Sequence, residues 1–302
     1  MKTRNILVAV TFAALAALAL GAWAQQGTLD KIKASGAITI GHPNAIPFSY
    51  LDDKQQSVGF AIDLCARVVD AIQAELKLPA LKVNYRPTTP ATRIPLLVDA
   101  SIDMDCGAAT NNAERQRQIA YTMTHFLAVT RFIAKKADNL TKLADLKGKT
   151  VVSQVNTTPL KQITELNTAQ NLGINILVVD YLREGLPMVE SGRAVAFVYD
   201  DILLAALAAN HADPGQWQIS SEALSLPEPY GIMVRRDDPA FKKVVDASMV
   251  ATYKSGEAAK LYAKWFQSPI PPKGINLNMP LSAIMTNLFA NPSDSPDPAA
   301  YK

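Results

Sequence analysis

The sequence predicts an α/β protein made of two units of similar size. Three observations predict it. Short apolar runs that read as strands alternate with amphipathic helical runs, the pattern of a mostly parallel sheet. That alternation runs once from residue 37 to 107 and again, in different words, from 149 to 201. Two extended stretches, residues 127–136 and 228–238, lie between the units, so one unit is expected to take strands or helices from both ends of the chain.

The elements follow in order. "AITIGH" (37–42) is a short apolar strand that ends in a polar loop. Residues 60–76 are helical, because Phe60, Leu64, Val68, Ile72 and Leu76 recur every four residues and make one buried face. "KVNYR" (82–86) and "SIDMDCG" (101–107) read as strands, with a short helix, "RIPLLVDA", between them. In the second unit, residues near 149–153 form a strand and "NTTPLKQITEL" opens a helix. There Pro159 suits the first helical position and Thr158 the cap. "INILVVD" (174–180) and "AVAFVYDD" (194–201) are strands, the second stopping on Asp200 and Asp201. The tail, 291–302, is rich in proline and small polar residues and is expected to be mobile.

The first 24 residues are not fold. Lys2 and Arg4 precede an apolar run and then Ala22-Trp23-Ala24, which reads as a secretory signal peptide cut after Ala24. The run is short for a membrane span, and no cysteine follows it to carry a lipid. Removing it leaves 278 residues (302 less 24), and the formal charge falls from +3 to +1 as Lys2 and Arg4 leave. A near-neutral exported chain without a basic run gives no reason to expect nucleic acid. Export permits a bridge between Cys65 and Cys106, closing a loop of about 40 residues; two buried thiols are the alternative. His42, His125 and His211 lie far apart with no ligand-like spacing, so no metal site and no cofactor is expected.

In an open α/β sheet ligands sit beyond the carboxyl ends of strands, often at helix N-termini. Three stretches fit. "TNNAER" places Thr110 and Arg115 at what reads as a helix start, where exposed N–H groups and a guanidinium suit a carboxylate. Plain capping by Asn112 with a solvated Arg115 is the alternative. Thr157 and Thr158 offer hydroxyls at a second strand-to-helix turn, where capping is again the alternative. Asp200 could hold an ammonium group, while Asp200 or Asp201 caps the helix that follows. Together, a cation, hydroxyls and an anion match an α-amino acid held between two lobes, with neither ligand charge buried unpaired.

At these residues the chain resembles the periplasmic solute-binding proteins of polar amino acid ABC transporters, most closely the glutamate/aspartate-binding branch. The likeness runs from about Gly27 to Asp294 and rests on "GTLDKI", "RIPLL", "ATNNAERQRQ", "DLKGK", "ESGRAVAF", "SGEA" and "SPIPPK". It implies a type II two-lobed fold with two hinge strands and a ligand cleft between lobes. The expected division is residues 25–128 plus 235–302 for lobe 1 and 129–234 for lobe 2. It also implies a monomeric periplasmic protein that delivers an L-amino acid, glutamate or aspartate first, to an inner-membrane ABC permease with a cytoplasmic ATPase.

The resemblance assigns Arg115 to the ligand's α-carboxylate, Asp200 to its α-ammonium and Arg93 to the site of the acidic branch. Thr110, Thr157 and Thr158 match hydroxyl positions. Other positions depart from that branch: Pro43 stands for an arginine, Pro90 and Ala108 for serines, Ala61 for an acid, and neither Tyr181 nor Leu182 replaces a histidine. The departures gather at the side-chain end, so a neutral polar amino acid or another carboxylate is the alternative ligand. A sensor input module would share the same cleft chemistry. A dehydratase-like enzyme would need a general acid such as Asp201 or Glu184, and no nucleophile constellation is present.

Overall fold

The computed structural model describes residues 27–301; the expected signal peptide, 1–24, lies outside the described residues. The chain opens with helix α1 (Thr28–Ser35) and strand β1 (Ala37–His42). A small hairpin follows, β2 (Tyr50–Leu51) and β3 (Ser57–Val58). Helix α2 (Phe60–Glu75) buries the predicted stripe, with Phe60, Leu64, Val68 and Ile72 at 0% exposure. Strand β4 (Lys82–Pro87), helix α3 (Arg93–Val98) and strand β5 (Met104–Asp105) complete the first pass through this lobe.

The chain then makes β6 (Ile119–Tyr121) and leaves on β7 (Phe126–Ala128). The second lobe holds β8 (Thr130–Lys135), β9 (Thr150–Gln154), α4 (Thr158–Ala169), β10 (Asn175–Val179), α5 (Gly185–Glu190), β11 (Ala196–Asp200), α6 (Asp201–Ala209) and β12 (Trp217–Ile219). Return is on β13 (Glu228–Tyr230), antiparallel to β7, and these two strands are the hinge. Strand β14 (Met233–Arg235) and helices α7 (Pro239–Lys254), α8 (Glu257–Phe266) and α9 (Ala283–Ala290) finish the first lobe.

Each lobe is built on a five-stranded sheet, in orders β4-β1-β5-β14-β6 and β10-β9-β11-β8-β12. The sheets are mixed rather than all parallel. In the first, β14 pairs antiparallel to both β5 and β6 because it arrives from the other lobe and enters against the local direction. The expected lobe boundary at residue 234 falls inside this strand, so Met233 and Val234 pair in the first sheet.

Aromatic packing fixes the hinge to the first lobe. The Phe48 ring meets Phe126 of β7 at 5.0 Å, Tyr230 of β13 at 5.5 Å and Phe266 at 5.6 Å, all edge-on. Cys65 on α2 and Cys106 just after β5 are joined by a disulfide, their Cα atoms 6.4 Å apart. The tail differs from expectation. Tyr301 is buried, and its hydroxyl bonds Thr124 at 2.7 Å, so a C-terminal aromatic holds residues that composition alone reads as mobile. Among the described residues no helix is long and apolar enough to cross a membrane.

Candidate functional site

The cleft between the sheets gathers the carboxyl ends of β1, β5, β9 and β11 with the hinge strand β13. Arg115 does not open an α-helix. It begins a three-residue 3-10 turn, Arg115–Arg117, too short for a helix dipole. Asn112 caps that turn, its Oδ1 accepting the Arg115 N–H at 2.9 Å. The guanidinium is held at 2.9 Å by the Thr110 carbonyl and reaches the Asn156 carbonyl of the other lobe at 3.4 Å.

The second strand-to-helix turn also differs by one residue from expectation. Thr157, not Thr158, is the cap of α4: its hydroxyl accepts from Leu160 N–H at 3.3 Å and donates to the Gln154 carbonyl at 2.6 Å. That leaves the Thr157 hydroxyl turned to backbone and the Thr158 hydroxyl turned to the cleft. Thr158 meets Thr110 of the first lobe at 3.0 Å. Both hydroxyls donate to Glu228 Oε2, at 3.3 Å from Thr110 and 3.2 Å from Thr158, while Gln162 donates to Glu228 Oε1.

Asp200 stands at the end of β11 and is 4% exposed. Its Oδ2 accepts the Tyr230 hydroxyl at 2.5 Å, and its Oδ1 is buried with no hydrogen-bond partner. Asp201 turns away: its carboxylate accepts the Val129 and Ile202 N–H groups at 3.2 and 2.8 Å. Glu184, the other candidate acid, accepts the N–H groups of Asp180 and Tyr181. Both are therefore fastened to backbone. Burial raises the Asp200 pKa well above the ordinary carboxylate range, and the Glu228 charge adds to the shift. Burial also raises Glu228, against the pull of Gln162, Thr158, Thr110 and Arg115.

Arg93, the first residue of α3, is 5% exposed. Among the described residues it has no ion pair within 4.0 Å, and its Nε is buried without a partner. Burial, and then the Arg115 charge, lower its pKa, yet a guanidinium stays charged. Asp105 lies behind it, accepting the Thr88 hydroxyl at 2.7 Å; burial pushes its pKa up to about 6, with Arg93 opposing. Arg93 opens on a cavity of about 460 Å³ between the lobes. Pro43, Pro90 and Ala108 wall it from the first lobe, and Gln154, Tyr181, Leu182, Arg183 and Tyr199 from the second.

Arg93, Arg115, Thr110, Thr158 and Asp200 thus come to one cleft, while Thr157 serves the helix. Sequence reasoning missed Glu228 and Gln162. Gln162 lies four residues after Thr158, one turn along the same helix face, which was a usable signal. Glu228 gave none beyond its place on the crossing stretch.

Residues 38–268 match the family described as bacterial extracellular solute-binding proteins, family 3. The chain belongs to that family. It is 44% identical over 292 residues to the L-glutamate/L-aspartate-binding protein of Pseudomonas aeruginosa, covering 96% of each chain. It is 41% identical over 290 residues to the glutamate/aspartate import solute-binding protein of Escherichia coli, again covering 96% of each. Among solved structures, an ancestral arginine-binding protein bound to glutamine superposes with a TM-score of 0.68 at 28% identity, covering 76% of this chain and 98% of that one. An ancestral amino acid-binding protein described as a precursor of cyclohexadienyl dehydratase gives 0.65 at 28% identity, covering 80% and 99%. The two sequence relatives are named as binding proteins, not enzymes, and this family 3 chain has the two-lobed α/β fold of such proteins.

Proposed function

We propose that this family 3 protein binds L-glutamate or L-aspartate in the periplasm and hands it, as a monomer, to an inner-membrane permease driven by a cytoplasmic ATPase. The observation that carries the reading is a pair of buried ionisable groups on opposite lobes, each with a polar atom that lacks a partner. Arg93 presents a guanidinium with no ion partner, and Asp200 presents a carboxylate oxygen with no donor. Each costs free energy in the cleft until an opposite charge arrives. An acidic amino acid brings both, and closing the lobes on it satisfies them together.

In this reading Arg115 grips the α-carboxylate with the N–H groups it does not give to backbone, Asp200 takes the α-ammonium and Arg93 the side-chain carboxylate. Thr110 and Thr158 lie between, one from each lobe, so their contact reports closure. Relatives named for glutamate and aspartate support the same ligand class.

The test is calorimetric titration of unfolded, ligand-stripped and refolded protein with the twenty L-amino acids and with dicarboxylates lacking an amine. Glutamate or aspartate is expected to bind more tightly than glutamine or asparagine. Failure of both acids to bind at about millimolar concentration, where only some 4 kcal/mol of binding energy is needed, overturns the ligand assignment. Binding of neutral polar amino acids alone would show that Pro43, Pro90 and Ala108 rewrite the side-chain pocket.

A further inference from the structure

We propose that Glu228 is a second ammonium-binding group of the amino acid site, so that Asp200 and Glu228 share the ligand's positive charge. The inference rests on the amino acid reading above and adds a residue that neither the motif pattern nor the family resemblance pointed to.

Four observations lead there. Glu228 is 7% exposed although it lies on the hinge strand, where a carboxyl could have faced solvent. It is held from both lobes at once, by Thr110 on one side and by Thr158 and Gln162 on the other. After burial, its charge is the strongest influence on Asp200. Asp200 Oδ1, unpartnered and enclosed, completes the set.

Two buried carboxyls whose charges act on one another resist ionising together unless a cation neutralises them. Arg115 pulls on both, yet it is fastened to the Thr110 and Asn156 carbonyls, and both groups remain shifted upward. The other groups facing the pair do not supply a cation. Tyr230 is a neutral donor to Asp200, Tyr199 bonds Gln154, Asp201 adds negative charge, and Arg93 looks into the cavity. A primary ammonium fits the remaining need: it is compact, carries three donors and can bond both acids at once.

The consequence is linkage. Burial and mutual repulsion make the ligand-free pair keep a proton to higher pH than ordinary carboxyls do, and an ammonium displaces it. Binding of an amino acid should therefore release up to one proton wherever the ligand-free pair is still protonated, and affinity should rise as pH rises through the range in which the pair ionises. A carboxylate ligand without an amine should release none.

The experiment compares L-glutamate with glutarate on the unaltered protein and on Glu228→Gln, which keeps an acceptor for Gln162. Calorimetry in two buffers of different ionisation heat counts protons. Expected is up to one proton released with glutamate by the unaltered protein, none with glutarate, and a preference for glutamate over glutarate reduced about tenfold or more in Glu228→Gln. An unchanged preference, or an equal loss for both ligands, would make Glu228 a structural residue and overturn the proposal. So would glutamate binding without proton release at any pH, a result that needs no variant. If the unaltered protein binds no amino acid at all, the proposed function itself falls, an outcome distinct from either of these.

Discussion

The two ends of the cleft are built on opposite terms. At the clamp end the polar groups have internal partners, Asp200 Oδ1 excepted: Arg115 bonds two carbonyls, and Thr110, Thr158 and Gln162 converge on Glu228. At the side-chain end the walls are Pro43, Pro90 and Ala108, and the one buried cation, Arg93, has no ion partner among the described residues. The difference has a chemical cause. Every α-amino acid presents the same carboxylate and ammonium, so their receptors can be braced in advance. The side chain is what varies, and an unmatched charge discriminates most strongly because only the right ligand neutralises it. Function is stored at that end as lost stability.

The largest effect expected from breaking this contrast comes from the brace beneath the clamp. The disulfide ties α2 to the segment that leads into Thr110 and Arg115, across a sequence separation of 41. Replacing both cysteines, Cys65→Ser with Cys106→Ser, should cost about 3–4 kcal/mol by chain entropy and lower Tm by on the order of 10 °C. Ligand affinity should fall as well, because half the clamp loses its pre-organisation. Coincident melting curves for the two proteins would show that packing alone holds the segment.

Next in size is a pH effect from Asp105. Its folded pKa is about 6, against an ordinary 3.8. The native state therefore binds this proton more tightly than the unfolded chain. Its contribution is fully present below the ordinary value and is lost as pH rises through about 6, amounting to roughly 2–3 kcal/mol. Denaturant unfolding between these pH values should show stability falling with pH, and the slope should be shallower in Asp105→Asn, which still accepts from Thr88. Parallel slopes would mean that Asp105 ionises freely in the folded protein.

Arg93→Met tests the unmatched charge itself, and its two readouts should move in opposite directions. Acidic ligand affinity should fall by about 2 kcal/mol, near thirtyfold, through loss of charge-assisted hydrogen bonds. Stability of the ligand-free protein should rise, because an uncompensated buried cation gives way to an apolar chain of similar length. Titration and thermal melting measure both. A fall in both would place Arg93 in the packing of α3 rather than in the site.

How much of this was legible in the sequence depended on the range of the interaction. The α2 stripe and the α/β alternation are local patterns, and burial follows them directly. The placement of Asp200 at the end of β11 was legible because a charged residue closing an apolar strand has a fixed address in such folds. The cap shifted from Thr158 to Thr157 because two adjacent threonines before a proline satisfy the same rule, and only the backbone decides between them. Glu228 lies in "EPYG", an extended run whose pattern says nothing of which way its carboxyl turns; the hinge geometry and Gln162, 66 residues away, determine that. The tail misled for the same reason: Tyr301 finds Thr124 across 177 residues.

The smallest expected effect sharpens the comparison instead of breaking it. Pro43 lines the cavity where the acidic branch is expected to carry an arginine, and its ring lies so close to Gly107 that a Cβ there would come within 2.3 Å of Pro43 Cγ. The loop between β1 and the hairpin is thus flush against the segment that carries Cys106. Pro43→Arg would add a cation from the first lobe to the cavity that Arg93 and, from the second lobe, Arg183 already line. The gain in affinity for glutamate or aspartate should be modest, about 1 kcal/mol or fivefold, because the new guanidinium gives the ligand's carboxylate a second partner but still repels Arg93 when ligand is bound. Glutamine affinity should fall by a similar factor, since a neutral amide leaves Arg93 and the new guanidinium unmatched. Selectivity between acid and amide, read by titration with each, is the quantity to follow. If glutamate and glutamine affinities move together, the loop has simply shifted off Gly107, and the proline is there to place the backbone rather than to tune the charge.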